Sequence, residues 1–244
     1  MKRPYRAYLF DMDGTVLNTL TDLTLSLNRA LATYGRRGDY TQAQVRLFFG
    51  SGIAVAIRRA LLFEQGVPIE KLVLVGTDRE AEIVRPGMID PDLEEKIRTF
   101  YKPWYEEHCN DHTAPYAGIP ELLHRMKEQG ILTAVVSNKP DGAVEKLADD
   151  LFPGCFDYTA GEKDGIRRKP APDMLEAALK YLNVAKEDAV YIGDSEVDLE
   201  TAKNTGLPCI SVLWGFRDRD FLVSHGATTF AEKAEDILPW KEHA

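Results

Sequence analysis

Four short, mostly apolar runs punctuate the chain, at 7–10 (AYLF), 131–136 (ILTAVV), 189–192 (AVYI) and 209–213 (CISVL). Runs of this length with no regular polar alternation are expected of strands covered on both faces of a parallel sheet. The intervening stretches switch to helical spacing. Ile119, Leu122, Leu123 and Met126 fall at i, i+3, i+4 and i+7, with Pro120 suited to a first turn and Gly130 to a stop. Leu175, Ala178, Leu179 and Leu182 repeat that spacing, and a short helix is predicted from Glu196 to Asn204, ended by Gly206 and Pro208. Strand and helix in alternation predict βαβ units and an α/β core built on a doubly wound parallel sheet.

Residues from about 18 to 111 break this rhythm. Leu20, Leu23, Leu27, Leu31 and Tyr34 mark one long amphipathic helix. Residues 53–64 and 92–107 read as further helices, and 72–75 is an apolar run that would also pass for a strand. About ninety mostly helical residues following the first strand predict a second domain joined by two linkers. The expected organisation is therefore an α/β domain of 1–17 and 112–244, interrupted by a helical domain of 18–111.

Charge narrows the function classes. Among 244 residues, 30 Lys and Arg face 39 Asp and Glu, a formal net charge of −9. No nucleic-acid or anionic membrane partner is expected of such a surface. A small anionic substrate stays open, because a metal or a local basic group can overrule the global charge. Cys109, Cys155 and Cys209 are odd in number and far apart, which predicts reduced thiols rather than disulfides. No run of about 18 apolar residues occurs. Residues 1–5 lead into the first strand without an apolar leader, so a cytoplasmic protein is expected.

Three of the four apolar runs end in polar residues able to do chemistry. The first runs into Asp11-Met12-Asp13-Gly14-Thr15, the second into Ser137-Asn138, and the third into Gly193-Asp194-Ser195-Glu196-Val197-Asp198. Ligands of open α/β sheets bind beyond the carboxyl ends of the strands, so these groups should converge. Asp11 and Asp13, two apart in extended chain, point the same way and repel unless a cation or a shared proton intervenes. With Asp194 they make an oxygen-only donor set with no histidine, which suits Mg²⁺ better than zinc. Taken alone, the first motif also reads as a turn capping a helix, and Ser137-Asn138 as a helix cap. In Arg167-Arg168-Lys169-Pro170-Ala171-Pro172-Asp173 the two prolines stiffen the chain beside Lys169, which could balance the carboxylates and hold a phosphate. Arg167 and Arg168 read as a solvated face.

The set Asp11-Met12-Asp13-Gly14-Thr15, Ser137-Asn138, Lys169-Pro170 and Gly193-Asp194-Ser195 with Asp198 resembles the four motifs of the haloacid dehalogenase superfamily, in order and spacing across nearly the whole chain. Within it, Tyr116-Ala117-Gly118-Ile119, Val136-Ser137-Asn138-Lys139-Pro140 and the segment around Lys169 look most like the phosphoglycolate phosphatase group. The resemblance implies a Rossmann-like core with an inserted helical cap. It makes Asp11 a nucleophile forming an aspartyl-phosphate, and Asp13 the acid that protonates the leaving oxygen and then activates water. Thr15, Ser137, Asn138 and Lys169 would bind the phosphoryl group. Asp11, the Asp13 backbone carbonyl and Asp194 would bind Mg²⁺, with Asp198 adjacent or acting through water. Asp13 argues against dehalogenation, since the dehalogenase branch lacks that aspartate.

In the same resemblance Gly50, Ser51 and Gly52 form a cap loop that helps select substrate, although an ordinary helix start reads equally well. Arg58 and Arg59 are candidates for a substrate carboxylate or for a solvated helix face. His108, Cys109, Asp111 and His112 have metal-ligand side chains but no companion group, so zinc is not expected. Tyr101, Trp104 and Tyr105 read as cap core. The expected activity is Mg²⁺-dependent hydrolysis of a small phosphorylated metabolite, 2-phosphoglycolate first, by a monomer or homodimer. The alternatives are a sugar-phosphate mutase of the same superfamily and a non-catalytic binding protein on this scaffold.

Overall fold

The computed structural model describes residues 5–238. It divides into two units, Met1–Asn18 with Ala114–Ala244 and Thr19–Thr113. Residues 1–4, where the sequence was read as lacking a leader, lie outside the described residues.

The unit Thr19–Thr113 is helical. It contains α1 (Leu20–Thr33), α2 (Gln42–Phe48), α3 (Ile53–Glu64) and α4 (Pro91–His108), with 3₁₀ turns at Ile69–Leu74 and Glu80–Glu82. Leu23, Leu27, Ala30 and Leu31 form the buried stripe of α1, which packs on α4. Ile97, Tyr101 and Tyr105 answer it from α4, the two tyrosine rings stacked 5.3 Å apart. Asp90 caps α4 by accepting from the Asp92 and Leu93 amides, and Pro91 fills the first turn, where no donor is needed. The apolar run at 72–75 is not a strand. Ile69–Leu74 closes its own 3₁₀ bonds, because no neighbouring strand offers its backbone a partner. Helix α2 escaped the sequence reading because it is seven residues long, though a Thr41–Gln44 capping box marks its start.

Two charged side chains in this unit are buried. Asp22 accepts from the His112 amide (2.9 Å), His112 Nδ1 (2.8 Å) and Thr113 Oγ1 (2.8 Å), joining the start of α1 to the end of the unit. Arg59, 1 % exposed, donates to the carbonyls of Phe48 (3.1 Å) and Val75 (3.1 Å) and to Ser51 Oγ (3.3 Å). It therefore braces the Gly50–Ser51–Gly52 loop from below and does not lie on a solvated face. Arg58 is paired with Glu80. Arg59→Met strands buried carbonyls, so we expect a loss of about 3 kcal/mol, read as a lower urea midpoint.

The second unit is the α/β core. Its elements are β1 (Ala7–Phe10), β2 (Leu17–Asn18), β3 (Ala114–Pro115), α5 (Ile119–Glu128), β4 (Leu132–Pro140), α6 (Asp141–Leu151), β5 (Tyr158–Glu162), α7 (Asp173–Leu182), β6 (Ala189–Gly193), α8 (Glu196–Thr205), β7 (Cys209–Val212), α9 (Arg219–Ser224) and β8 (Phe230–Ala231). Six strands form one parallel sheet in the order β5-β4-β1-β6-β7-β8, and β2 pairs with β3 antiparallel. All four residues of β1 are buried. Ala7 and Leu9 join Ala134, Ala160, Leu175 and Leu179 in one core cluster, and small residues on three strands let α7 approach the sheet closely. Phe10, on the opposite face, meets Phe156 at 6.5 Å.

From β1 the sheet is built outward through β4 and β5 on one side, and the chain then crosses back to β6 on the other side of β1. The strand order thus reverses at β1, which opens a crevice at the carboxyl ends of these three strands. The pairing of β4 with β5 shifts register between Val136 and Pro140. Ser137, Asn138 and Lys139 occupy this irregular stretch, so the strand runs past the expected end at Val136. An irregularity of this kind re-aims side chains beside a site.

Candidate active site

Asp11 and Asp194 each sit just beyond a strand, and Asp198 lies in the first turn of α8. Asp11 follows β1, and its amide continues the ladder to the Ile192 carbonyl at 2.8 Å. Gly14 then turns the chain with φ +83°, a conformation open to glycine; a side chain there would also collide with the Asp194 carboxylate. Asp194 follows β6, accepting from the Phe216 amide at 2.6 Å and lying 3.4 Å from Thr15 Oγ1. Carboxylate oxygens of Asp11, Asp194 and Asp198 lie within 4.8 Å of one another.

These three are buried, and Lys169 is the cation among them. Its Nζ is 2.9 Å from Asp11 Oδ1, 2.8 Å from Asp198 Oδ1 and 2.9 Å from the Tyr191 hydroxyl, so three oxygens surround an ammonium that has three protons. Asn138 fixes the lysine's backbone, with Oδ1 accepting from the Lys169 amide (2.8 Å) and Nδ2 donating to its carbonyl (3.0 Å). The Asn138 side chain is thus turned to Lys169. Arg167 forms a forked pair with Asp173 at the surface.

Asp13 is set apart from this cluster. Its Oδ1 lies 2.8 Å from Lys139 Nζ, whose side chain is 1 % exposed while that of Asp13 is 18 % exposed. The structure thus gathers Asp11, Asp194 and Asp198 side chains, where the sequence grouped Asp11, Asp13 and Asp194. Asp198 is engaged throughout: Oδ1 takes Lys169 and Tyr191, and Oδ2 takes the amides of Asp194 (3.2 Å) and Ser195 (3.1 Å) and the Ser195 hydroxyl (2.6 Å). It organises the loop more than it faces a ligand.

Electrostatics follow from burial and this unequal pairing. Burial pushes the Asp11 carboxyl up to about 7, against the pull of Lys169 and with repulsion from Asp198 and Asp13 added. Burial, then Asp198 and Asp11, drive Asp194 well above the ordinary range. Burial is the largest influence on Asp198 and acts in the same direction, but Lys169 and the hydrogen bonds from Ser195 and Tyr191 together overcome it and hold that carboxyl low. Burial would lower Lys169; Asp11 and Asp198 raise it instead. With all groups charged, four carboxylates face two ammonium groups, leaving two negative charges for a cation to balance. Asp11 Oδ1, although ion-paired, receives no well-aligned hydrogen bond. An oxygen donor set with that charge deficit fits a divalent cation such as Mg²⁺.

Sequence reasoning missed three contributors. Tyr191 and Lys139 lay inside motifs already noted, but nothing in their spacing showed where they point. Arg217, buried and 2.8 Å from Glu196 Oε2, comes from a loop with no pattern. Ser137 is buried at the site, its Oγ 3.4 Å from the Lys139 amide. Gly50, Ser51 and Gly52 belong to the helical unit. His108 pairs with Asp111, His112 with Asp22, and Cys109 donates to the Glu106 carbonyl, so these four residues form no common cluster. The three cysteines are free thiols, and no described helix is long and apolar enough to cross a membrane.

Known proteins resemble the chain over most of its length. The Haloacid dehalogenase-like hydrolase family matches residues 8–212. The phosphoglycolate phosphatase of Aquifex aeolicus is 31% identical over 212 residues, covering 86% of each chain. Phosphoglycolate phosphatase 1 of Pseudomonas aeruginosa is 27% identical over 240 residues, 98% of this chain and 80% of its own. Among solved structures, a candidate phosphoglycolate phosphatase from Lactobacillus delbrueckii subsp. bulgaricus superposes with a TM-score of 0.92 at 45% identity, covering 96% of this chain and 97% of that one. The family match over most of the chain, with these relatives, places the protein among the haloacid dehalogenase-like hydrolases, as a phosphoric monoester hydrolase.

Proposed function

We propose that the protein is a Mg²⁺-dependent phosphatase acting on a small phosphate monoester, 2-phosphoglycolate first, through an aspartyl-phosphate on Asp11. The observation that carries this reading is the Asp11 carboxylate at the end of β1, held 2.9 Å from Lys169 beside the Asp194 carboxylate. The names of the relatives support the choice of substrate.

Asp11 attacks phosphorus in line with the departing oxygen, and its carboxylate becomes an acyl phosphate. Asp13 gives a proton to that oxygen, then takes one from the water that cleaves the intermediate. Lys169 and Ser137 orient the phosphoryl oxygens, together with Thr15 and the Asn138 segment. Asp11, Asp194 and the Asp13 carbonyl would hold Mg²⁺, which would supply positive charge against an anionic substrate. The Asp198 carboxylate keeps Lys169 in place. In this reading the unit Thr19–Thr113 acts as a cap, and Gly50, Ser51 and Gly52 contribute to substrate selection.

The test is a panel of phosphate monoesters assayed for released phosphate with Mg²⁺. We expect 2-phosphoglycolate to rank first, with activity falling at least about 100-fold on chelation and returning on Mg²⁺ addition. An isomerised product without free phosphate, or no turnover of any ester, would overturn the reading.

A further inference from the structure

We infer that Lys139 is a specificity-determining residue, reading negative charge on the leaving group and so selecting monoesters whose alcohol carries a carboxylate close to the ester oxygen. This rests on the phosphatase reading above, in particular on Asp13 as the proton donor.

The proton donor meets the leaving oxygen at hydrogen-bond distance, about 2.6–3.2 Å. Lys139 Nζ lies 2.8 Å from the Asp13 carboxylate. Even across the full width of that carboxylate, the ammonium stands within about 8 Å of the leaving oxygen. A carboxylate one carbon further along the alcohol can come nearer. The phosphate side has its own lysine, Lys169, surrounded by Asp11, Asp198 and Tyr191. The leaving-group side has Lys139.

Charge makes the assignment specific. A leaving group with its own carboxylate enters a crevice already lined by Asp11, Asp13 and Asp194, which repel it. An ammonium whose side chain is 1 % exposed acts through protein more than through water, so its attraction is weakly screened. Lys139 sits in the irregular stretch of β4 between Val136 and Pro140, with its Nζ on Asp13. A neutral alcohol gains nothing from that charge. Lys139 therefore separates two substrates of nearly equal size, 2-phosphoglycolate and ethyl phosphate.

The experiment compares kcat/KM for these two esters in wild type, Lys139→Met and Lys139→Arg. Both substrates should lose rate in Lys139→Met, because Asp13 loses its partner. The preference for 2-phosphoglycolate over ethyl phosphate should fall a further tenfold or more, mostly in KM. Lys139→Arg, which keeps the charge, should retain the preference within about threefold. If Lys139→Met does not fold by circular dichroism, Lys139→Gln carries the comparison. Equal losses on both esters would overturn the inference and leave Lys139 as a support for Asp13 alone. So would a preference lost equally in the Arg variant. If wild type hydrolyses neither ester the phosphatase reading fails, whereas a changed rate with an unchanged preference defeats this inference only.

Discussion

Asp11→Asn should reduce turnover by at least about 10⁴-fold while leaving a folded protein. The amide keeps the size and shape of the carboxylate but is no nucleophile, and no second carboxylate is placed to replace it. Asp194 is tied to the Phe216 amide, Asp198 to Lys169 and the Ser195 segment, and Asp13 to Lys139. Stability should move the other way. Folding holds the Asp11 carboxyl at about 7, above its ordinary 3.8, so its ionised form is disfavoured in the folded state. A group raised in this way binds more protons folded than unfolded between those values, so its contribution falls as pH rises through that window. The neutral amide removes that penalty. We expect the metal-free variant to melt at or above wild type at pH 8, with the difference narrowing toward pH 4. Mg²⁺ should raise the melting temperature of wild type by several degrees and that of the variant by much less. Residual turnover near wild type would rule out Asp11 as nucleophile, and a variant melting well below wild type at pH 8 would contradict the burial argument.

Several features were legible because they are periodic or local. Strand β1 is four buried residues in a row, and the helices around Leu122 and Leu179 follow their apolar spacing. Strand β5 was missed because Tyr158–Glu162 places Gly161 inside a half-buried stretch, which reads as a turn. Helix α6 was missed because no side chain caps its start, and β8 because it has only two residues. At the site the residue types were legible, and their partnerships were not. Asp11 and Asp13 do share one end of β1, yet one faces Lys169 and the other Lys139. Lys139 and Lys169 are thirty residues apart, and only the folded sheet decides which carboxylate each one meets. Asn138 read as a phosphate ligand by its place in the motif. In the fold its side-chain amide pairs with the Lys169 backbone, a partnership that its place in the motif does not show.

Lys169→Met should lower kcat by at least about 10³-fold and should also destabilise the metal-free protein, by about 3–5 kcal/mol near neutral pH. The two effects share one cause. Lys169 is the ammonium in contact with both Asp11 and Asp198, and removing it leaves two buried carboxylates facing each other and Asp194. The wild-type lysine is held above its ordinary value, so its stabilisation is fully present at every pH below about 10 and does not itself vary across the neutral range. The variation comes from the acids. Without Lys169, Asp198 loses the partner that keeps it low and Asp11 loses its opposing pull, so both carboxyls rise. Near pH 4 the folded variant can hold them protonated, and the gap from wild type is small. As pH rises through 7 the acids must ionise against one another or the fold opens, so the gap widens. Denaturant midpoints of the two proteins from pH 4 to 9 should therefore diverge steadily, and a divalent cation should narrow the gap at the alkaline end by supplying the missing charge. A gap independent of pH would mean that the lysine acts through packing of its aliphatic stem rather than through charge.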